Sequence, residues 1–200
     1  LGLIVFVVFF LLGWLYLVSH ELIIFLFGQK WIESIKYFKI ILLSGFGYPI
    51  SALMVNILSS RGNSKMYLRV EIYKKIVFCI NLAIGFIWGI EGYLYGLIIV
   101  ITISLYLNIH FASLEIHIPK LQLIKPILVQ IMITSTSVII VLLLISKLDF
   151  SIYFMFVVKS IGFIAMYILF NKIFEMDGFN FFIGEITSLY KIFFKKYKRF

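Results

Sequence analysis

Long apolar runs separated by short polar breaks set the rhythm of this chain, and the runs have the length of membrane helices, not strands. A helix needs about 20 mostly apolar residues to cross a bilayer. Six such stretches occur. The first runs from Leu1 to Val18, continues past the polar Ser19-His20-Glu21 into Leu22–Phe27 and stops at Gly28. The second covers about Ile35 to Leu58 and is interrupted by Gly45, Gly47 and Pro49. The third, about Val70 to Gly89, starts amphipathic, with Arg69, Glu71, Lys74 and Lys75 in its first turns. The fourth spans about Gly92 to Leu114. The fifth, about Lys125 to Ser146, puts Pro126 in its first turn, where proline is tolerated. The sixth, about Ser151 to Phe170, carries Lys159 in its middle. Arg61-Gly62-Asn63-Ser64, Trp88-Gly89-Ile90-Glu91-Gly92 and Ser146-Lys147-Leu148-Asp149 read as the short turns between them. None of the runs has the period-2 alternation of a membrane barrel. The expected fold class is all-α: a polytopic membrane helix bundle of about six transmembrane helices with a C-terminal amphipathic helix.

That last helix has its own pattern. From Phe179, apolar residues recur at Phe182, Ile183, Ile186, Leu189, Tyr190, Phe193, Phe194 and Tyr197, a stripe at about 100° per residue. Lys191, Lys195 and Lys198 fall on the opposite face, and Phe181 and Ile192 break the polar side. This predicts an interfacial helix with aromatics in the acyl boundary and lysines toward anionic headgroups. A docking surface for cytoplasmic proteins is the sharper alternative to plain anchoring.

Composition narrows the class. Of 200 residues, 63% are apolar and only 14% charged, with a mean hydropathy of +1.11. Soluble domains run at about 45–50% apolar and about 25% charged. An ordinary soluble domain, a disordered chain and a nucleic-acid-binding domain are therefore excluded. The net charge of +9 then reports topology and not a nucleic-acid partner. Thirteen of the basic residues fall on one side: Arg61, Lys65, Arg69, Lys74 and Lys75, then Lys120 and Lys125, then Lys172, Lys191, Lys195, Lys196, Lys198 and Arg199. Four fall on the other, Lys30, Lys36, Lys39 and Lys147, while Lys159 lies within a span. Codon bias would not sort them in this way. The rich side is cytoplasmic by the positive-inside rule, so both ends of the chain are expected inside. A start at Leu1, directly inside an apolar run without a basic leader, reads as a piece of a longer protein, not a signal peptide.

Candidate chemistry is sparse. Cys79 is alone, the three histidines His20, His110 and His117 have no ligand spacing, and no cofactor or metal motif is present. A charge at the centre of a span costs about 2.5–3.5 kcal/mol on insertion scales, so Lys159 is either a site for an anionic substrate or coupled carboxylate, or a snorkelling interface lysine. Asn56 and Asn81 either bond a sugar hydroxyl or phosphate in a cavity or hold helices together. Lys36 and Lys39, one turn apart, meet a lipid phosphate or anchor the helix at the interface. Gly45, Gly47 and Pro49 are expected to bend or unwind the second span as a hinge, as broken transporter helices do.

Phe27-Gly28-Gln29-Lys30-Trp31, Ser34, Tyr37-Phe38-Lys39-Ile40, Pro49-Ile50-Ser51, Asn56-Ile57-Leu58, Gly62-Asn63-Ser64-Lys65, Ile84-Gly85 and Gly89-Ile90-Glu91-Gly92 carry a resemblance. Together they resemble the C-terminal lobe of polysaccharide (O-antigen type) flippases, of the multidrug/oligosaccharidyl-lipid/polysaccharide (MATE-like) exporter superfamily. The resemblance covers about the first 115 residues, and the last two spans match in number and hydropathy. It implies residues 1–114 as four helices of the C-terminal lobe, 115–173 as two additional helices and 174–200 as a basic cytoplasmic tail. It also implies alternating access that moves an undecaprenyl-pyrophosphate-linked oligosaccharide across a bacterial cytoplasmic membrane. Lipid-linked oligosaccharide and membrane lipids would be the partners, with polysaccharide-assembly proteins such as cytoplasmic glycosyltransferases as candidates for docking on the tail, and no cofactor is implied. The alternatives are a membrane enzyme of the same pathway, a polymerase or acyltransferase, and a drug/cation antiporter.

Reporter fusions test the orientation. Fusions at Gly62 and Phe200 should report a cytoplasmic location, and those at Gly92 and Asp149 the opposite side. An exported reporter at Gly62 overturns the arrangement.

Overall fold

The computed structural model describes the backbone of residues 1–60, 64–146 and 151–197, and side chains as far as residue 190 within those segments, Ser64 excepted. The turn at 61–63, the joint holding Lys147 and Asp149, and the side chains of Lys191, Phe193, Phe194, Lys195, Lys196, Tyr197, Lys198 and Arg199 lie outside the described residues.

Among the described residues the chain is helical throughout. The order is α1 (Gly2–Leu17), α2 (Ser19–Phe27), a 3-10 turn (Gln29–Trp31), α3 (Ser34–Gly45), α4 (Gly47–Ser60), α5 (Ser64–Ile116), α6 (Lys120–Ile145), α7 (Ile152–Ile173) and α8 (Asp177–Tyr197). Ser34–Ser60, Lys65–Ile116, Lys120–Ile145 and Ile152–Ile173 are each long and apolar enough to cross a membrane, and α1 with α2 forms a broken fifth.

At 53 residues α5 would run about 80 Å if straight, more than twice a hydrocarbon core. It does not run straight. Gly89 has φ 71° and ψ −166°, a conformation essentially reserved for glycine, and the helix reverses there. Asn81 donates to the Tyr93 carbonyl at 3.2 Å across the reversal. A Cβ on Gly96 would stand 1.9 Å from the Asn81 Oδ1, and one on Gly85 would stand 3.0 Å from the Tyr93 Cβ. The two arms, 64–88 and 90–116, are thus an antiparallel hairpin, and each is of membrane length. Counted this way, six membrane-length segments lie among the described residues, as the hydropathy predicts. Gly28, with φ 83° and ψ 176°, ends α2 in the same glycine-only region.

Three boundaries differ from expectation. The first span bends by 69° at Val18, between α1 and α2. The fifth begins at Lys120, not Lys125, so Pro126 lies inside α6 and not in its first turn. There the ring removes a bond that Gln122 would otherwise accept. The second span is interrupted only at Phe46, whose φ −61° and ψ −32° are still helical. Gly45 and Gly47 instead serve close approach: a Cβ on Gly47 would meet Ile101 Cγ2 at 2.1 Å, and one on Gly45 would meet Leu12 at 3.1 Å. Within the described helical segments the chain breaks sharply at Val18 and Gly89.

α1 is the shared element of two cores. Val5 and Phe9 join Ile50, Met54 and Leu58 of α4, Leu105 and Ile109 of α5, and Leu123 and Ile127 of α6. Phe6 and Leu17 join Ile133, Val138 and Val141 of α6 with Phe163 and Tyr167 of α7. α8 starts by docking on this second core: Phe179 and Phe182 stack on Phe6 at ring distances of 5.8 and 5.5 Å, and Gly178 sits against Gly2. Its first turns are therefore packed against α1. Phe179 and Phe182, which the expected stripe put in the acyl boundary, thus pack against α1 instead.

Large apolar side chains cover the outside, among them Phe86, Ile87 and Trp88 at 91%, 75% and 71% exposure. Such a surface needs a lipid or protein cover.

Substituting Gly96 by Leu should splay the α5 hairpin and lower stability by about 1–3 kcal/mol, the usual scale of overpacking. Gly184→Ala, with nothing within 4 Å of its Cβ position, should leave stability unchanged or slightly raised. Denaturant midpoints of the protein in mixed micelles measure both.

Candidate functional site

Ser19, His20 and Glu21 form the first turn of α2, directly after the bend. The bend turns Glu21 inward, where it is 5% exposed. Its Oε1 accepts from Lys159 Nζ at 2.5 Å, across 138 residues of sequence. The two side chains are only 12% (Lys159) and 6% (Glu21) exposed. Glu21 lies six residues from the Phe27 end of α2 and Lys159 seven from the Ile152 end of α7. At about 1.5 Å per residue Lys159 sits about 10 Å along α7 from its first residue. Oε2 of Glu21 has no hydrogen-bond partner, and His20 Nδ1 stands 4.0 Å from Oε1 with its side chain half exposed. Next to Lys159 in the chain, Ser160 accepts from the Trp14 indole at 2.9 Å, which ties α7 to α1 just below the bend.

Elsewhere in the bundle α1, α3 and α6 enclose an apolar cleft of about 360 Å³. Phe9, Leu12, Leu42, Phe46 and Val138 line it, with Tyr16, Thr134 and Ser135 as its polar side chains. Leu43 and Ile139 also line it and are half exposed, so the cleft opens sideways onto the apolar surface of the bundle. The Lys39 ammonium lies 5.3 Å from the centre of the Tyr16 ring, so α3 brings a cation to the cleft edge.

No family model, curated protein or solved structure matches the chain. The reading of the site rests on its geometry.

The sequence candidates are not gathered into one cavity. Lys159 is buried against Glu21, and Lys39 reaches the cleft edge. Lys36, one turn away, is paired with Glu91 at 2.6 Å, an exposed bond that joins the start of α3 to the far arm of α5. Asn56 is exposed on α4, and its backbone carbonyl accepts from Ser59 at 3.1 Å. Asn81 is buried in the α5 hairpin, where it holds the two arms together. Among the described residues no group of three His, Cys, Asp or Glu side chains could hold a metal ion.

Two features escape a residue-by-residue reading of the sequence. Glu21 was expected near a polar break, not inside the bundle; the 69° bend is what turns it inward. Gln130 and Tyr167 are both buried and hydrogen-bonded to each other, and Tyr167 donates to the Phe6 carbonyl at 2.7 Å. A polar residue in an otherwise apolar run was the available signal for each.

Breaking a buried ion pair from one side costs about 3–5 kcal/mol, because the surviving charge is left without a partner. Glu21→Gln and Lys159→Met should each destabilise the protein by that order, while the double variant should recover most of the loss. Unfolding midpoints and membrane yield of the four proteins give the cycle.

Proposed function

We propose that this chain is part of a transporter that moves a lipid-linked oligosaccharide, of the undecaprenyl-pyrophosphate type, across a bacterial cytoplasmic membrane by alternating access. The observation that carries this reading is the sideways-opening apolar cleft between α1, α3 and α6, with Lys39 at its edge. Its volume falls in the range of about 300–1,000 Å³ usual for ligand sites. Its lining suits an isoprenoid chain, and the cation suits the phosphate that follows such a chain. The resemblance of residues 27–96 to polysaccharide flippases supports the same reading. So does the pairing of Lys36 with Glu91, which holds the α2–α3 turn and the Gly89 reversal at one end of the bundle, as the charge count requires.

One observation favours a second reading, a drug/cation antiporter of the same superfamily. Cation coupling needs a buried carboxylate, and Glu21 is one. Against it, Lys159 already occupies Oε1. A membrane polymerase or acyltransferase has less support, because the described connections are too short to form a catalytic loop domain.

The full-length protein should restore surface polysaccharide to a bacterial host that lacks its own O-antigen flippase, and Lys39→Glu should lower that restoration severalfold at equal protein level. Gain of ethidium resistance without surface polysaccharide would favour the antiporter instead.

A further inference from the structure

A second cavity, separate from the apolar cleft, opens between α4 and the two arms of α5, with a volume of about 260 Å³. Its lining is mostly of another kind. Tyr48 and Ser51 come from α4, Lys74 and Lys75 from the first arm of α5, Ser104 and Asn108 from the second. The hairpin makes this possible: positions 74 and 104 are equally distant from Gly89, so the reversal sets them side by side.

Asn108 is the unusual member. It is fully buried, at 0% exposure, and lines the cavity with neither its carboxamide nitrogen nor its carboxamide oxygen hydrogen-bonded within the protein. A buried amide with both ends unmatched costs about 1–3 kcal/mol per group, so such a side chain is expected to meet a polar ligand or water. At the same cavity Lys74 is matched by Glu71, while Lys75 has no ion partner among the described residues. One surplus positive charge therefore faces a neutral donor–acceptor pair. A ligand that satisfies all three carries an anionic oxygen for Lys75, an acceptor for the Asn108 NH₂ and a hydroxyl donor for its carbonyl. A phosphorylated sugar has these groups within the width of one ring. Tyr48 and Phe78 add aromatic surface beside them. The volume is at the small end of ligand sites and suits a single ring, not an oligosaccharide.

We propose that the cavity between α4 and the α5 hairpin is a binding site for a phosphorylated hexose, with Asn108 on the sugar hydroxyls and Lys75 on the phosphate. The inference rests on the transporter reading only for the source of that sugar. The phosphorylated sugar is either the first residue of a lipid-linked oligosaccharide or a free sugar phosphate. Lys74 and Lys75 lie 10 and 11 residues from the Ser64 end of α5, about 15 Å, so the site lies toward the end opposite Gly89.

Direct binding to the full-length protein in nanodiscs tests this, with glucose-1-phosphate, inorganic phosphate, glucose and undecaprenyl-diphospho-N-acetylglucosamine as probes. Glucose-1-phosphate should bind more tightly than either phosphate or glucose. Asn108→Leu should weaken it about tenfold without lowering the unfolding midpoint, since the change removes an unmatched buried amide. Lys75→Glu, at an exposed position that the fold does not need, should weaken it at least as much and keeps the test valid if Asn108→Leu does not fold. A further gain with the undecaprenyl probe identifies the lipid-linked source; equal affinity identifies the free sugar phosphate. Phosphate binding as tightly as the sugar phosphate, or unchanged binding in both variants, overturns the proposal. Restored surface polysaccharide alongside unchanged binding would leave the transporter reading standing and remove this site alone. Sugar-phosphate binding without polysaccharide export would do the reverse.

Discussion

The packing of this bundle depends on α1 being apolar on every side. A helix with one apolar stripe can serve one neighbour, whereas α1 gives Val5 and Phe9 to the core shared with α4, α5 and α6, and Phe6 and Leu17 to the core shared with α6 and α7. Gly13 lets this double contact close tightly. A Cβ there would stand 2.4 Å from Thr134 and 2.8 Å from Phe163, so α1, α6 and α7 meet at a point where only hydrogen fits. α8 then docks on the end of the same helix through Phe6. The site inherits this arrangement, because the apolar cleft is the space that α3 and α6 leave beside α1.

Polar side chains inside such a bundle need protein partners, since the surrounding apolar medium supplies none. The chain meets that demand in different ways. Tyr167 is bonded by Gln130 and in turn bonds a backbone carbonyl of α1, which pins three helices with neutral groups. Glu21 and Lys159 neutralise each other across α2 and α7. Asn81 holds the hairpin through a backbone carbonyl. Asn108, equally buried, has no such partner. Glu21 and Asn81 each keep one unmatched oxygen beside the bond they make, whereas both ends of the Asn108 amide are left over.

The described spans and the turn at Gly89 were legible because hydropathy and glycine act locally. A run of apolar residues declares a helix by itself, and Gly28 and Gly89 take backbone conformations that other residues avoid. Partnerships across the fold were not legible. Nothing around Lys159 points to Glu21, since the two meet only after α2 has bent and α7 has packed beside it. Gly45 and Gly47 were read as a hinge because small residues free the backbone; they also permit close contact, and contact is what Leu12 and Ile101 make with them. Asn56 and Asn81 look alike in the sequence, yet one faces outward and the other inward, a distinction set by packing. Lys120 to Ile124 read as a connection because of its polar residues, although it is already helical.

The reversal at Gly89 bears on how the chain enters a membrane. The two arms of α5 pair along much of their length from a single-residue corner, with the Asn81 carboxamide already bonded to Tyr93. A hairpin that closes before insertion carries its asparagine into hydrocarbon with one bond made, whereas arms that enter one after the other expose it bare during passage. In a membrane, early pairing of the two arms would thus lower the barrier to inserting a helix that holds a polar residue eight positions before its corner. The small residues Gly85 and Gly96 keep the arms close, so they would serve that pairing as well as the finished fold.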